Sequence, residues 1–514
     1  MRYVIGVDIG TSSTKSVLFD RHGRQVDRCS QGYELRSPEP GAAEQNPDDI
    51  LNACTQTVAA VVKSSGIDPS DLIGLSFSAA MHTLLLIDQE NQPITPMFTW
   101  ADNRSDRTID TVTAQDTQSD PTLYKRTSLP VHPMSPVVKL VWLKQQQPEI
   151  FHRAARIVSI KEYVLYHWCG EWVIDESIAS TTGLFNLESR DWDTEALRIA
   201  GISSKQLSKI VPTMHQLELK ARVADSMKIA SSTPVIVGAS DGVLSNLGVG
   251  AITAGEAAIT LGTSGAIRQV IDRPKTAEAA QLFCYALDES RWVMGGAVNN
   301  GGIALQWTRD SLVPYSVPPD EQTPSTSEPS RSTYERLTKM AQKISPGSDG
   351  LIFHPHILGE RAPLWNAQAR GNFFGLGRHH TQGHLVRAVM EGVLYNMATV
   401  FDSLEAAGGQ VKTLRASGGF AHSTLWQQML ADIVEREVVI PTVIESSALG
   451  AAVLALVSVG EWSELEQVQS CVEIAHSRQP IAENVKRYRQ ILPIYSELLI
   501  GFCQQYARLQ AAIG

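Results

Sequence analysis

The chain has 514 residues, 43% of them apolar and 19% charged, and its 44 Lys and Arg against 54 Asp and Glu leave a formal net charge of −10. That length exceeds what one hydrophobic core holds and calls for more than one domain. The acidic balance, with a sequence pI near 5.8, excludes a general affinity for nucleic acid or anionic membrane, which both demand a basic surface, and the ordinary apolar content excludes a disordered chain.

In chain order, the runs Tyr3 to Val7 and Lys15 to Phe19 read as two strands around the turn Gly10-Thr11-Ser12. Asn46-Pro47-Asp48-Asp49 opens a helix with an N-cap, a proline at the first helical position and acids for the dipole. Strands follow at Leu72 to Phe77 and Leu84 to Ile87, then a helix over Val137 to Leu143 opened by Ser135-Pro136. Val235-Ile236-Val237 is strand-like and leads through Gly238-Ala239-Ser240-Asp241-Gly242 into a helix. A domain boundary is expected just after it, giving domains 1–247 and 248–514.

The second half opens with Ala258 to Leu261, Gly262-Thr263-Ser264 and a run to Asp272, a second strand, Gly-Thr-Ser turn and strand. Residues 313–332 shift to proline, serine and threonine (Pro314, Pro318, Pro319, Pro324, Pro329) and predict a flexible surface insertion. Leu351 to Phe353 resumes as strand, Ala416-Ser417-Gly418-Gly419 as turn, and Leu425 to Ile433 as helix. Ala448 to Gly460, the longest apolar stretch, is too short to cross a bilayer and reads as a packed helix. Alternating strands and helices predict an α/β fold.

Six cysteines (Cys29, Cys54, Cys169, Cys284, Cys471, Cys503) stand singly without CxxC spacing, and the amino-terminal run meets Asp8 too early for a secretory apolar segment. A reducing, cytoplasmic location is expected. The two Gly-Thr-Ser turns lie 252 positions apart (262 minus 10), close to half of 514. Two related halves, each offering one turn, suit a nucleotide held between them: glycine lets backbone approach a ligand, and hydroxyls beside turn amides suit phosphate oxygens.

Asp8 ends an otherwise apolar strand, and a carboxylate there needs a partner, for which Mg²⁺ and its waters serve. Asp241, between strand and helix, reads either as a plain helix cap or as the carboxylate that accepts a hydroxyl proton in phosphoryl transfer. Lys15 reads as a phosphate ligand or a solvated strand-edge lysine, and Gly418-Gly419 as an adenine platform or loop punctuation. Met81-His82 and Trp100-Ala101-Asp102-Asn103-Arg104 mix polar and aromatic groups as sugar sites do, or pack in the core.

These pieces together resemble the FGGY carbohydrate kinases. Beyond the turns, the likeness includes Met134-Ser135-Pro136 with Lys139 and Trp142, and Phe374-Gly375-Leu376 followed by His384-Leu385, Ala388 and Glu391. The resemblance implies a two-lobed actin-like ATPase fold of ribonuclease H-like halves, with ATP and sugar in the cleft between lobes. It implies Asp241 as catalytic base, Asp8 as the magnesium-site carboxylate, and Gly10, Thr11, Ser12, Ser13 and Lys15 as the first phosphate loop. Gly262 and Thr263 would form the second loop, and Gly302, Gln306, Gly418, Gly419 and Ser423 would hold the rest of ATP. Met81, His82, Trp100, Arg104 and Asp241 would meet the acceptor.

Within the family the motifs are most similar to those of gluconate kinases, through Ser78-Ala79-Ala80-Met81-His82, Thr99 to Ser105, His132-Pro133-Met134, Gly238 to Asn246 and Gly359-Glu360-Arg361-Ala362-Pro363-Leu364-Trp365-Asn366. The expected reaction is ATP-dependent phosphorylation of D-gluconate to 6-phospho-D-gluconate, with Arg104, Arg126, His132 or His82 as partner of the substrate carboxylate. Ser128-Leu129 departs from the Gly-Thr expected there. A xylulose kinase or another ketose kinase is the rival enzyme, and a non-catalytic actin-like ATP-binding protein the rival of another class. A homodimer is compatible with the sequence.

Overall fold

A computed structural model describes residues 1–116, 122–278, 281–313, 331–442 and 445–513. The elements that matter for function are β1 (Tyr3–Ile9), β2 (Ser13–Asp20), β3 (Gln25–Gly32), α1 (Pro47–Ser65), β4 (Leu72–Ala79), α2 (Pro136–Gln146), α3 (Ile160–Cys169), α4 (Glu176–Ser180), β5 (Gln216–Leu217), β6 (Val235–Ser240) and α5 (Asp241–Gly248). They continue with β7 (Glu256–Leu261), β8 (Gly265–Ile271), β9 (Trp292–Val298), α6 (Gly302–Trp307), α7 (Gln382–Gly408), β10 (Thr413–Ser417), α8 (Thr424–Val434), β11 (Glu437–Pro441), α9 (Ser446–Ser458), β12 (Ile474–Arg478) and α10 (Ala482–Ile513).

The chain forms two compact units: residues 1–254 with 270–294 and 442–473, and residues 255–269 with 295–441 and 474–514. The expected boundary at 247/248 cuts the sequence once, whereas the chain passes between the units several times. The physical reason is visible in α9, an apolar helix late in the chain that packs against β1, β4 and α5 of the first unit. Its approach is so close that a Cβ on Gly6 would lie 2.0 Å from the Ala448 carbonyl oxygen, so only glycine fits at that point of β1.

The first unit is built on a sheet of order β5-β6-β4-β1-β2-β3, with β6, β4 and β1 parallel and β2 and β3 antiparallel. Val4, Ile5, Val7, Leu75, Phe77 and Val235 to Val237 are fully buried, as expected for strands covered on both faces. Helix α1 starts where the sequence predicts, with the Asn46 side chain accepting from the Asp48 amide, and packs across β2 and β3.

Among the described residues the second sheet has seven strands, with Phe283–Ala286 at one edge followed by β9-β8-β7-β10-β11-β12. The 27-residue helix α7 buries Val389, Met390, Val393, Leu394 and Phe401 as its core stripe. The proline-rich stretch over 313–332 lies outside the described residues for 314–330; its last two residues already belong to the helix Arg331–Gln342. Among the described residues no helix is long and apolar enough to cross a membrane. The six cysteines are free.

Candidate active site

Both Gly-Thr-Ser segments are tight turns between antiparallel strands, as predicted. In the first, the Gly10 amide donates to the Ser13 carbonyl at 3.0 Å. Side chains from other elements hold it: Gln45 Nε2 donates to the Thr11 carbonyl at 2.8 Å, Trp100 Nε1 to Thr11 Oγ1 at 2.9 Å, and the Tyr33 hydroxyl to the Gly10 carbonyl. Trp100, read from sequence as facing an acceptor, thus has its indole N–H on the threonine of the first Gly-Thr-Ser turn.

Sheet register sets the surroundings of Asp8, which pairs with Lys15 on β2 and with Ser78 on β4. Ser78 donates to Asp8 Oδ1 at 2.7 Å. Burial pushes the Asp8 carboxyl above the usual range, against the Ser78 hydrogen bond and the Lys15 charge, which favour ionisation. Lys15 lies in a strand paired on both sides, so it is no edge lysine, and its Nζ reaches Glu445 Oε2 at 2.9 Å, while Arg28 meets Glu445 Oε1 at 2.8 Å. Glu445, just ahead of α9, escaped the sequence reading; its only local signal is an acid preceding an apolar helix.

Among the described residues no three His, Cys, Asp or Glu side chains cluster to hold a metal. A single carboxylate fits Mg²⁺ all the same, because that ion keeps several waters and is bound through one or two carboxylates plus substrate phosphates. The ionised form of Asp8 is disfavoured by burial, and a cation at that point would offset the cost.

Asp241 is the first helical residue of α5, not its cap; the cap position is Ser240, whose own side chain makes no capping bond. Asp241 Oδ1 accepts from the Gly242 amide at 2.7 Å, at the positive end of the helix dipole. The short helix α4 steadies the strand end beneath it: Ser177 Oγ accepts from the Ser240 amide at 3.2 Å and meets Ser240 Oγ at 3.0 Å. Asp175 caps α4 through the Ile178 amide and pairs with Lys161 Nζ at 2.5 Å, both side chains fully buried. Burial lowers the Lys161 ammonium, against attraction from Asp175 and, more weakly, Asp241.

The residue after α4 fixes His82. Its Nδ1 lies 2.7 Å from the Thr181 carbonyl, so this nitrogen carries the proton, and Nε2 faces the Tyr285 hydroxyl at 3.4 Å. His82 sits in the left-handed region at φ 59°, beside half-buried Met81. Thr181 and Tyr285 were invisible in the sequence, being 99 and 203 positions from the histidine they face.

Arg104 turns out to be committed. Its guanidinium meets Asp102 at 2.7 Å, Glu44 at 2.5 Å and Glu39 at 2.9 Å and stacks over Phe98 and Trp142. A fork filled by three carboxylates has no net charge to give an anionic substrate. Lys139, from the first family motif, is buried with Nζ on the Pro133 and Met134 carbonyls at 2.7 and 2.8 Å, its ammonium pulled down to about 7 by burial. Arg126 contacts both oxygens of Asp193 through Nε, and His132 Nδ1 accepts from the Met134 amide. Ser128, where glycine was expected, sits in the left-handed region at φ 49° and donates its hydroxyl to the Lys275 carbonyl at 2.9 Å.

In the second unit the Gly262 amide closes its turn on the Ser264 carbonyl at 2.9 Å. The start of α6 locks onto the same turn: the Gly302 amide donates to Gly262 at 2.6 Å, and the Gly301 and Ile303 amides to Thr263 at 3.0 and 3.2 Å. Gly302 and Gln306 lie in α6. A Cβ on Gly262 or Gly419 would meet nothing within 4 Å, leaving room over both backbones, whereas Gly418 at φ 95° lies against the Leu261 carbonyl and admits no side chain. Ser423 spends its hydroxyl as the cap of α8, accepting from the Trp426 amide at 3.3 Å.

Each unit's sheet thus carries one Gly-Thr-Ser turn, with Asp8 next to the end of β1 and Asp241 starting the helix after β6. The chain matches the N-terminal domain of the FGGY family of carbohydrate kinases over residues 3–248 and its C-terminal domain over 257–459, and it belongs to that family. It is 46% identical over 510 residues to a gluconokinase of Bacillus subtilis, covering 99% of this chain and 97% of that one. Two solved structures from Lactobacillus acidophilus superpose with TM-scores of 0.91, each at 33% identity and over 99% of this chain: a gluconate kinase, 99% covered, and a ligand-bound xylulose kinase, covered in full.

Proposed function

We propose that this protein phosphorylates D-gluconate with ATP to give 6-phospho-D-gluconate and ADP. The observation that carries the reading is the 46% identity to a gluconokinase across 99% of the chain; backbone likeness is equal for a gluconate and a xylulose kinase and does not choose between them.

In this reading Asp241 accepts the proton of the terminal hydroxyl as that oxygen bonds to the γ-phosphorus and the bond from phosphorus to the bridging oxygen of ADP breaks. Thr11, Ser12, Ser13 and Lys15 with Gly10, and Gly262 with Thr263, offer amides, hydroxyls and one cation to the phosphates. Lys15 exchanges part of its pairing with Glu445 for phosphate. Gly302, Gln306, Gly418, Gly419 and Ser423 hold the remainder of the nucleotide, Ser423 through its backbone because its hydroxyl caps α8. Asp8 would hold Mg²⁺, which when bound supplies charge neutralisation on the phosphate oxygens. Met81, His82 and Trp100 serve the acceptor, and the substrate carboxylate is assigned to His82 or His132 and not to Arg104 or Arg126, whose charges carboxylates already balance.

The test is ADP release by the purified protein with gluconate, xylulose, ribulose and glycerol in turn. Gluconate is expected to give the highest kcat/KM by at least about tenfold. Preference for xylulose would replace the acceptor while leaving the kinase reading, and no turnover with any of the four would remove both.

A further inference from the structure

The segment Gly359-Glu360-Arg361 has no role in the reaction above, yet it carries a fully buried carboxylate with its acceptor sites filled. Glu360 Oε1 accepts from the Asn299 amide at 2.5 Å and the Arg361 amide at 2.9 Å. Its Oε2 accepts from Asn300 Nδ2 at 3.0 Å and Asn396 Nδ2 at 3.1 Å and faces His356 Nδ1 at 3.3 Å. A buried carboxylate whose acceptor sites are all met by named donors fixes in turn the groups that donate to it.

What it holds is the chain just ahead of α6. Asn300 also donates to the Gly359 carbonyl at 2.7 Å and accepts from the Leu358 amide at 3.1 Å, while Arg361 grips the Asn299 side chain at 2.8 Å and the Val298 carbonyl at 3.1 Å. The very next residues, Gly301, Gly302 and Ile303, are those whose amides bind the carbonyls of Gly262 and Thr263. A run of hydrogen bonds, joined through the peptide link from Asn300 to Gly301, therefore leads from the Glu360 carboxylate to the second Gly-Thr-Ser turn.

We propose that Glu360 is a positioning residue for that turn, setting the place of Gly262 and Thr263 for the nucleotide; this rests on reading the turn as a phosphate loop. A carboxylate is needed because only two acceptor oxygens can gather these donors. A glutamine of the same shape would turn an NH₂ toward either the backbone amides of Asn299 and Arg361 or the side-chain amides of Asn300 and Asn396.

The experiment measures ADP affinity by calorimetry, and KM for ATP and for gluconate, in Glu360→Gln, Thr263→Ala and the double variant of the full chain, with a melting curve for each. Glu360→Gln is expected to weaken ADP binding and raise KM for ATP by about tenfold, the scale of losing one hydrogen bond to a charged group, with KM for gluconate within about twofold. Asn300→Ala, which cuts the run from the other side, should give the same split. Thr263→Ala should cost less in the Glu360→Gln background than in the wild type, because the two act on one turn. A loss in Thr263→Ala with wild-type ADP affinity in folded Glu360→Gln and Asn300→Ala overturns the inference alone, as does a parallel rise of both KM values with a lowered melting temperature. Unchanged ADP affinity in Thr263→Ala overturns the phosphate-loop reading and the inference with it.

Discussion

The two Gly-Thr-Ser turns share a sequence and a strand–turn–strand setting, but they are secured by different means. The first is pinned by side chains of Gln45, Trp100 and Tyr33 reaching in from other elements. The second is held backbone to backbone by the start of α6, with its side-chain support one step removed at Glu360. The charges differ as well: Asp8, Lys15 and Glu445 lie around the first turn, whereas the glycine of the second meets open space. A repeated motif thus recurs in one strand–turn–strand setting without dictating how each copy is supported.

The comparison breaks most sharply at Asp8. Asp8→Asn is expected to lower kcat by roughly 10²–10³, the scale of removing one preorganised electrostatic contact to the transferred group, and to flatten the Mg²⁺ dependence of the rate. Its effect on stability should have the opposite sign. The folded state raises the Asp8 carboxyl above its ordinary 3.8, so above that pH the unfolded chain sheds the proton more readily and ionisation works against folding. The substituted protein without nucleotide should therefore be more resistant to urea at neutral pH than the wild type, and the gain should fade as pH falls toward 4. A loss of stability at neutral pH would contradict the assignment of burial as the dominant cause.

At the second turn, Gly302→Ala places a Cβ 2.8 Å from the Gly262 carbonyl oxygen. Overpacking of this kind costs about 1–3 kcal/mol, and ADP affinity should fall by about tenfold or more, read by calorimetry. The smallest effect is expected at the first turn. Trp100→Phe removes the indole N–H from Thr11 Oγ1, and loss of one such bond is worth about 0.5–1.5 kcal/mol in a denaturant melt, with a few-fold change in KM for ATP. A large effect there, with none from Gly302→Ala, would invert the contrast between the turns.

What the sequence made legible follows from what is local. The two turns, the capped start of α1, the strand before Asp241 and the apolar helix α9 rest on periodicity and punctuation within a few residues, and each stands as predicted. The partners of those elements do not. Glu445 meets Lys15 from 430 positions away and Tyr285 faces His82 from 203, distances at which no single sequence carries a pairing signal. Arg104 shows the same limit in reverse: its charge suggested an anion site, but the acids that neutralise it include Glu39 and Glu44, about sixty positions upstream. The return of α9 and its neighbours to the first unit late in the chain was hidden for a similar reason. Ser128 has a local cause that the sequence hides: its left-handed backbone suits the glycine that the family pattern leads one to expect, and the hydroxyl bond to Lys275 offsets that conformation.

The central claim is that the Asp241 carboxylate takes the proton from gluconate as phosphate is transferred. Phosphorus NMR of ATP and gluconate incubated with the wild type and with Asp241→Asn tests it directly. The wild type should build a sugar-acid phosphomonoester and ADP in equal amounts, and the variant should form both at least about a hundredfold more slowly while binding ADP with wild-type affinity. Ester formation at the wild-type rate by the variant, or release of free phosphate in place of the ester by the wild type, would contradict it.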